Sequence, residues 1–197
     1  MIWKTIESLV LTLTRGIKNN MRPKPNIRDY FLHGIYLNIY GLVKYFPSPI
    51  GDFLRYWVIK PFIKKMGKVR ISEGVTIWYP YRVTLGDNVT LNNGVTIDGY
   101  GEVEIHDFVR VAHRATILSS DHIFSDPHTP IYQQGLSQNK TVIHKDCWLG
   151  CNTVVLPGVI IENGSIVGAN AVVTASFSAY SIIGGIPGKK IGDRKSP

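Results

Sequence analysis

Cysteine is almost missing from this sequence: its 197 residues include two, Cys147 and Cys151. Two thiols four positions apart exclude a disulfide framework and fit a reducing, cytoplasmic setting. Charge is thin as well, at 18% of residues, but 44% are apolar, which is ample for a core and excludes intrinsic disorder. No apolar run approaches the ~20 residues needed to cross a bilayer. The stretch IESLVLTLTRGI near the start is broken by Glu7, Thr12, Thr14 and Arg15 and does not have the layout of a cleavable signal. The 19 glycines and 11 prolines exceed ordinary usage without a three-residue period, so turn-rich β structure is expected and a collagen-like rod is not. The length suits one domain with at most a small appendage.

The formal charge of +8 is unevenly distributed. Residues 1–70 hold 13 Lys and Arg against Glu7, Asp29 and Asp52, a balance of +10, while residues 71–197 come to −2. A basic, aromatic-rich segment on a nearly neutral body suits an anionic membrane surface or a phosphorylated, lipid-linked substrate, and these rank ahead of nucleic acid, which is not an expected partner. The plain alternative is a solvated basic face.

Repetition is what the sequence has in quantity, and in a turn-rich chain it decides the fold. From Ile143 aliphatic residues recur every six positions, at Ile143, Leu149, Val155, Ile161, Val167 and Val173. Four residues after these starts stand Cys147, Thr153, Val159, Ser165 and Ala171, each small or β-branched as a tight inner corner requires, and the pattern lapses at Phe177. Upstream the beat runs through Leu85, Leu91 and Ile97, slips by two, and resumes at Ile105, Val111 and Ile117. The slip is itself repeated, because ISEGVTIWYPYRVTLGDNVT from Ile71 aligns without gaps with LNNGVTIDGYGEVEIHDFVR from Leu91. A short strand and a turn every six residues, three to a triangular coil, stack into a parallel β-helix around one continuous core.

Two segments outside the repeat read as amphipathic N-terminal helices. Residues 2–17 carry a stripe at Ile2, Ile6, Leu9, Leu13 and Ile17; residues 50–66 carry Ile50, Phe53, Leu54, Trp57 and Val58 at helical spacing, with Ser48 as cap and Pro49 in the first turn. Such stripes either close the open end of the β-helix or dock on a membrane. The expected division is a basic helical region over 1–68, a β-helix over 69–178 and a C-terminal tail over 179–197.

The β-helix is interrupted by an excursion over 118–142, LSSDHIFSDPHTPIYQQGLSQNKT in its centre, which keeps no six-residue beat. A long irregular insert in a compact repeat marks function, and this one contains His122 and His128. His106 and His144 take the second place of their hexads, an outward corner, and His113 stands in the turn slot held by Glu73 and Asn93 in earlier copies. No metal is expected: His144, Cys147 and Cys151 resemble a ligand cluster on paper, but Cys147 takes an inward slot and Cys151 the next turn.

The segment CWLGCNTVVLPGVIIENGSIVGANAVVT, with IIGGIPGKKI after it, resembles the left-handed β-helix hexapeptide-repeat acyltransferases. The likeness is closest to their maltose, galactoside and polysaccharide O-acetyltransferase branch and runs over residues 69–192. It implies a left-handed parallel β-helix, a homotrimer with active sites in the clefts between subunits, and acetyl-CoA as acyl donor. Residue by residue, it implies His122, five positions after Ile117, as general base and Asn92 as its partner. It places Trp148, Cys151, Ala169 and Thr174 along the pantetheine path and Lys189 near the adenosine phosphates. Where the branch often has Lys after Val-Val-Thr this sequence has Ala175, which moves phosphate binding toward Lys189, Lys190 or Arg194. A hydroxyl attacking a thioester must lose its proton, and a histidine with a pKa near 6.5 suits that task. The implied activity is O-acetylation of a saccharide acceptor in cell-surface polysaccharide or lipopolysaccharide synthesis, at the cytoplasmic side of the membrane. The alternatives are N-acetylation of an amino sugar, antibiotic acetylation, or a non-catalytic scaffold at the membrane.

Overall fold

The computed structural model describes residues 27–194, and the stripe expected over 2–17 lies outside them. Helix α1 (Ile27–Val43) and helix α2 (Ser48–Ile59) precede the strands. α2 is shorter than the expected 50–66. It ends at Ile59, with Lys60 still at helical angles as its C-cap and Pro61, which has no N–H to continue the helical ladder, directly after, and residues 65–66 pair as a strand instead. Ser48 does not act as the cap: it stands at φ +77° and Pro47 takes the N-cap place.

The chain then climbs in triangular coils of three short strands. Coil one is β1 (Lys65–Met66), β2 (Val69–Ile71) and β3 (Thr76–Trp78); coil two is β4 (Val83–Leu85), β5 (Val89–Leu91) and β6 (Thr96–Asp98); coil three is β7 (Val103–Ile105), β8 (Arg110–Val111) and β9 (Thr116–Ile117). An antiparallel hairpin follows, β10 (Ser120–His122) and β11 (Leu136–Gln138), with the one-turn helix α3 (Ile131–Gln134) between its arms. Coil four is β12 (Thr141–Ile143), β13 (Trp148–Leu149) and β14 (Val154–Val155), and coil five is β15 (Ile160–Ile161), β16 (Ile166–Val167) and β17 (Val172–Val173). A partial last coil adds β18 (Ser181–Gly184), against which β19 (Lys189–Asp193) folds back antiparallel.

Three parallel sheets form the faces of the prism. The first is β1-β4-β7-β12-β15, the second β2-β5-β8-β13-β16-β18 and the third β3-β6-β9-β14-β17. The registers Ile71↔Leu91↔Val111 follow the sequence repeat residue for residue. Every hexad start from Ile143 to Val173 is buried, as are Cys147, Thr153, Val159, Ser165 and Ala171 four residues on. Each buried aliphatic side chain contributes about 1.5–3 kcal/mol relative to exposure. Phe177, where the pattern lapses, packs on the core and bridges to Ile161, so it carries the first face one step further. The two-residue slips fall at the corner between the third and first faces, at the 3₁₀ turn Pro80–Arg82 and at the turn closed by Glu102 N–H donating to Gly99 O.

The helices lie over the first coil. Tyr36 and Tyr40 of α1 are buried with rings stacked at 5.4 Å, and the Tyr40 hydroxyl donates to Val75 O at 2.8 Å. Arg55 of α2 is completely buried; its Nε donates to Ile71 O at 2.8 Å, its Nη1 to Phe46 O at 2.7 Å and its Nη2 to Asp52 Oδ1 at 2.6 Å. This guanidinium satisfies carbonyls at the top of the helical pair and at the edge of the coil together, which ties one to the other. The remaining helix surface leaves Ile50, Phe53 and Trp57 exposed. Among the described residues no helix is long and apolar enough to cross a membrane.

Candidate active site

The hairpin that carries His122 leaves the prism at the edge between the third and first faces, and its base is firmly held. The Ser119 hydroxyl donates to Asp98 O, the Ser120 hydroxyl to Asp98 Oδ2 at 2.5 Å, and Gly101 N–H to Ser119 Oγ at 2.8 Å. Asn139 N–H donates to Ser119 O at 2.9 Å, and Thr141 Oγ1 donates to Leu118 O at 2.6 Å. Arg82 reaches Gln138 Oε1 on the outer arm at 3.2 Å. His122 ends the inner arm opposite Leu136, exposed, with its own N–H on Asp121 Oδ1 at 2.8 Å. The imidazole is therefore presented to solvent from an arm fixed at its root. Asp98, Ser119 and Ser120, which position that arm, were not singled out in the sequence, because their roles come from a corner contact between coils and leave no periodic trace.

His128 sits further along the excursion, exposed, its N–H on Asp126 Oδ1 at 2.8 Å. The Thr129 hydroxyl and the His128 N–H hold the Asp126 carboxyl below the ordinary aspartate range. His106 and His144 lie with ring centroids 4.8 Å apart and planes tilted by 46° on the outer edge between the first and second faces. The Cys147 thiol is interior and donates to Glu162 O at 3.1 Å, whereas Cys151 is half-buried with its Sγ 4.0 Å from His113 Nδ1. Among the described residues no three His, Cys, Asp or Glu side chains are grouped to hold a metal ion.

Asn92 stands on a different edge from His122. It lies half-buried at the corner between the second and third faces, and its Nδ2 donates to Val111 O at 3.1 Å. Cys151 and Ala169 stack along that same edge in the column Glu73, Asn93, His113, Cys151, Ala169. Along the column each coil's next N–H donates to the carbonyl below: Gly94 to Glu73, Arg114 to Asn93, Asn152 to His113 and Asn170 to Cys151, at 2.8–3.0 Å. The glycine of the Trp-Leu-Gly step is required here, since a Cβ on Gly150 would meet Ala169 N at 2.6 Å. Trp148 lies exposed on the outside of the second face beside this edge. Thr174 is exposed just past β17, and Lys189 and Lys190 are exposed on β19, where Lys190 pairs with Asp193 at 2.5 Å. Arg194 is engaged elsewhere, with Asp146 Oδ2 at 2.9 Å. One chain thus offers a histidine arm on one edge and a tryptophan-lined track on another.

The bacterial transferase hexapeptide repeat matches residues 140–175, and the hexapeptide repeat of succinyl-transferase matches 83–98. A protein of Escherichia coli (strain K12) named as a lipopolysaccharide biosynthesis O-acetyl transferase, WbbJ, is 33% identical over 138 residues, covering 55% of this chain and 70% of its own length. This chain belongs to the hexapeptide-repeat acyltransferase family. WcaF of the same organism, named as a colanic acid biosynthesis acetyltransferase, is 30% identical over 141 residues, 71% of this chain and 75% of its own. A Vibrio cholerae hexapeptide-repeat acetyltransferase solved with acetyl coenzyme A has the same fold, with a TM-score of 0.74 at 21% identity over 85% of this chain and 89% of its own. The β-helix is accordingly of the left-handed class, and the chain is an acyltransferase.

Proposed function

We propose that this protein transfers the acetyl group of acetyl-CoA to a sugar hydroxyl in cell-surface polysaccharide or lipopolysaccharide biosynthesis, with His122 as general base. The observation that carries the reading is the anchored arm presenting His122 from coils of a family whose relatives include one named as a lipopolysaccharide biosynthesis O-acetyl transferase and one as a colanic acid biosynthesis acetyltransferase. His122 takes the acceptor proton as the oxygen attacks the thioester carbonyl, the tetrahedral intermediate collapses, and CoA leaves as thiol once protonated. The pantetheine arm runs along Trp148, Cys151 and Ala169 toward Thr174, with Lys189 and Lys190 at the adenosine phosphates.

Because His122 and Asn92 occupy different edges of one prism, a site using both needs two subunits, and a homotrimer supplies three such clefts. The exposed Ile50, Phe53 and Trp57, with the Lys60 ammonium 5.0 Å from the Trp57 ring centroid, support peripheral attachment to an anionic membrane surface, a basic residue there being worth about 1 kcal/mol. Cosedimentation with phosphatidylglycerol vesicles, weakening as salt rises, checks this; no association at low salt leaves the helices as an end cap alone.

The deciding experiment compares His122→Ala with His128→Ala in thiol release from acetyl-CoA with saccharide acceptors. His122→Ala is expected to lower turnover by ~10²–10⁴ while acetyl-CoA binding holds. A larger loss in His128→Ala with an equally intact fold would reassign the base.

A further inference from the structure

A cleft of about 520 Å³ opens between α2 and the outside of the second face. Phe53, Tyr56 and Trp57 form its helical wall, and Lys68, Arg70 and Arg110 come from the coil side. Among the described residues the one carboxylate in its lining is Asp52, whose Oδ1 is bound at 2.6 Å by the buried Arg55 and whose Oδ2 is shared with Arg70 at 2.9 Å. Asp52 is thus shared between a buried cation and Arg70, so that among the described residues the four cations Arg55, Lys68, Arg70 and Arg110 meet one carboxylate. Arg110 donates to the carbonyls of Asn88 and Val109, which orient the side chain without neutralising it. An excess of three positive charges in a concave, aromatic-walled site is chemistry for a phosphorylated ligand that also has a face to stack.

The position says which ligand that is. Arg70, Thr90, Arg110 and Trp148 occupy one outward column of the second face in successive coils. Neighbouring strands lie about 4.8 Å apart, so the two arginines stand roughly 10 Å from each other and Trp148 is one rung beyond. Asn92 follows Thr90 by two residues, at the corner just past the end of the same strand. A molecule seated in the cleft therefore ends beside the track assigned above to the acyl donor.

The geometry points to this cleft as the binding site for the phosphate or pyrophosphate of a phosphorylated saccharide acceptor. The assignment rests on the acetyl-transfer reading for the meaning of "acceptor", but phosphate binding itself is measurable without turnover. Two sources carry the chemistry, a soluble nucleotide-linked sugar and a lipid-pyrophosphate-linked one. Arg70 and Arg110 hold the phosphates, Trp57 and Phe53 cover the adjoining group, and the saccharide points up the column toward Trp148.

The test uses the full chain and follows tryptophan fluorescence, with Trp57→Phe assigning the signal. The probes are UDP-glucose, phosphatidylcholine vesicles doped with polyprenyl pyrophosphate, and unphosphorylated glucose. Saturable binding of either phosphorylated probe, but not glucose, is expected, and Arg70→Gln with Arg110→Gln should weaken it at least tenfold, about 1.4 kcal/mol. The paired Lys variants should retain most of it, and acetyl-CoA binding by calorimetry should be unchanged in all. The probe that saturates identifies the source. No saturable binding of either phosphorylated probe, or equal binding by the parent and the paired Gln variant, overturns the proposal. Phosphate binding by a protein inert toward acetyl-CoA would remove the enzymatic reading and leave the cleft standing. Acetyl transfer that the Gln variant leaves untouched, with no probe bound, would do the reverse.

Discussion

Cys147 fills the slot four residues after a hexad start, and its burial has a consequence for pH dependence. Withdrawal from water pushes the thiol up to about 11 from an ordinary 9.0, with the bond from its Sγ to Glu162 O keeping the proton in place. A group whose pKa is raised on folding stabilises the fold below its unfolded pKa and loses that contribution as pH climbs toward the folded one. The affected window is pH 9 to 11, and two units at about 1.36 kcal/mol each give roughly 2–3 kcal/mol at stake. Tyr36 and Tyr40, also raised by burial, add a second loss that begins above pH 10. Melting temperature should therefore fall from pH 9 upward, and Cys147→Ala should flatten the pH 9–10 part while leaving the tyrosine part; an unchanged slope in that variant would show that the thiol ionises freely in the folded state. This inward slot was legible in the sequence, because small and β-branched residues recur there at a fixed offset from the aliphatic starts. The groups that anchor the root of the His122 arm were not: Asp98 and Ser120 are 22 residues apart and meet only because one coil stacks on the next.

At the scale of elements, the hairpin depends on a backbone approach at Gly101. A Cβ there would lie 1.9 Å from Ser119 O and 2.7 Å from Asn139 N, atoms that bond to each other across the root of the hairpin. Neither is the free end of a flexible side chain, so Gly101→Ala must displace the arms. The coils that form the Trp148 track lie above this point and need not move. Turnover should drop at least tenfold, since a displacement of about 1 Å costs as much as 10², while calorimetry with acetyl-CoA gives the parent value. Full activity in this variant would show that His122 does not act from the hairpin position. The strands of the coils were predictable from the six-residue beat, whereas the three-residue arms of the hairpin and the single turn of α3 are too short to carry any period. α1 escaped for the opposite reason. IRDYFLHGIYLNIYGLV is apolar on every side and interrupted by Gly34 and Gly41, so buried Tyr36 and Tyr40 do not stand out from exposed Leu37, Ile39 and Leu42 as a stripe.

For the whole molecule the decisive fact is the separation of His122 and Asn92 onto different edges of a rigid prism. Stacked parallel strands buried on their inner side do not bend one edge round to meet another, so the proposed site, which uses both residues, is not assembled within a single chain. In the closed ring we propose, each subunit would lend His122 to one neighbour and Asn92 to the other. This gives a test that activity loss alone does not. His122→Ala and Asn92→Ala, each nearly inactive by itself, are mixed in equal amounts, dissociated and allowed to reassemble. A cleft works only when the histidine comes from the Asn92→Ala chain and the asparagine from the His122→Ala chain, which in random reassembly is about one cleft in four. Recovery of about a quarter of parental turnover, in a fraction whose mass by light scattering is three times the 22.0 kDa of the chain, is the expected outcome. A site contained within one chain would recover nothing, because every chain in the mixture lacks one of the two residues. Mixing without reassembly also recovers nothing, and mass spectrometry of the mixed trimers, with one variant isotopically labelled, separates that case from a failure of the shared-site arrangement.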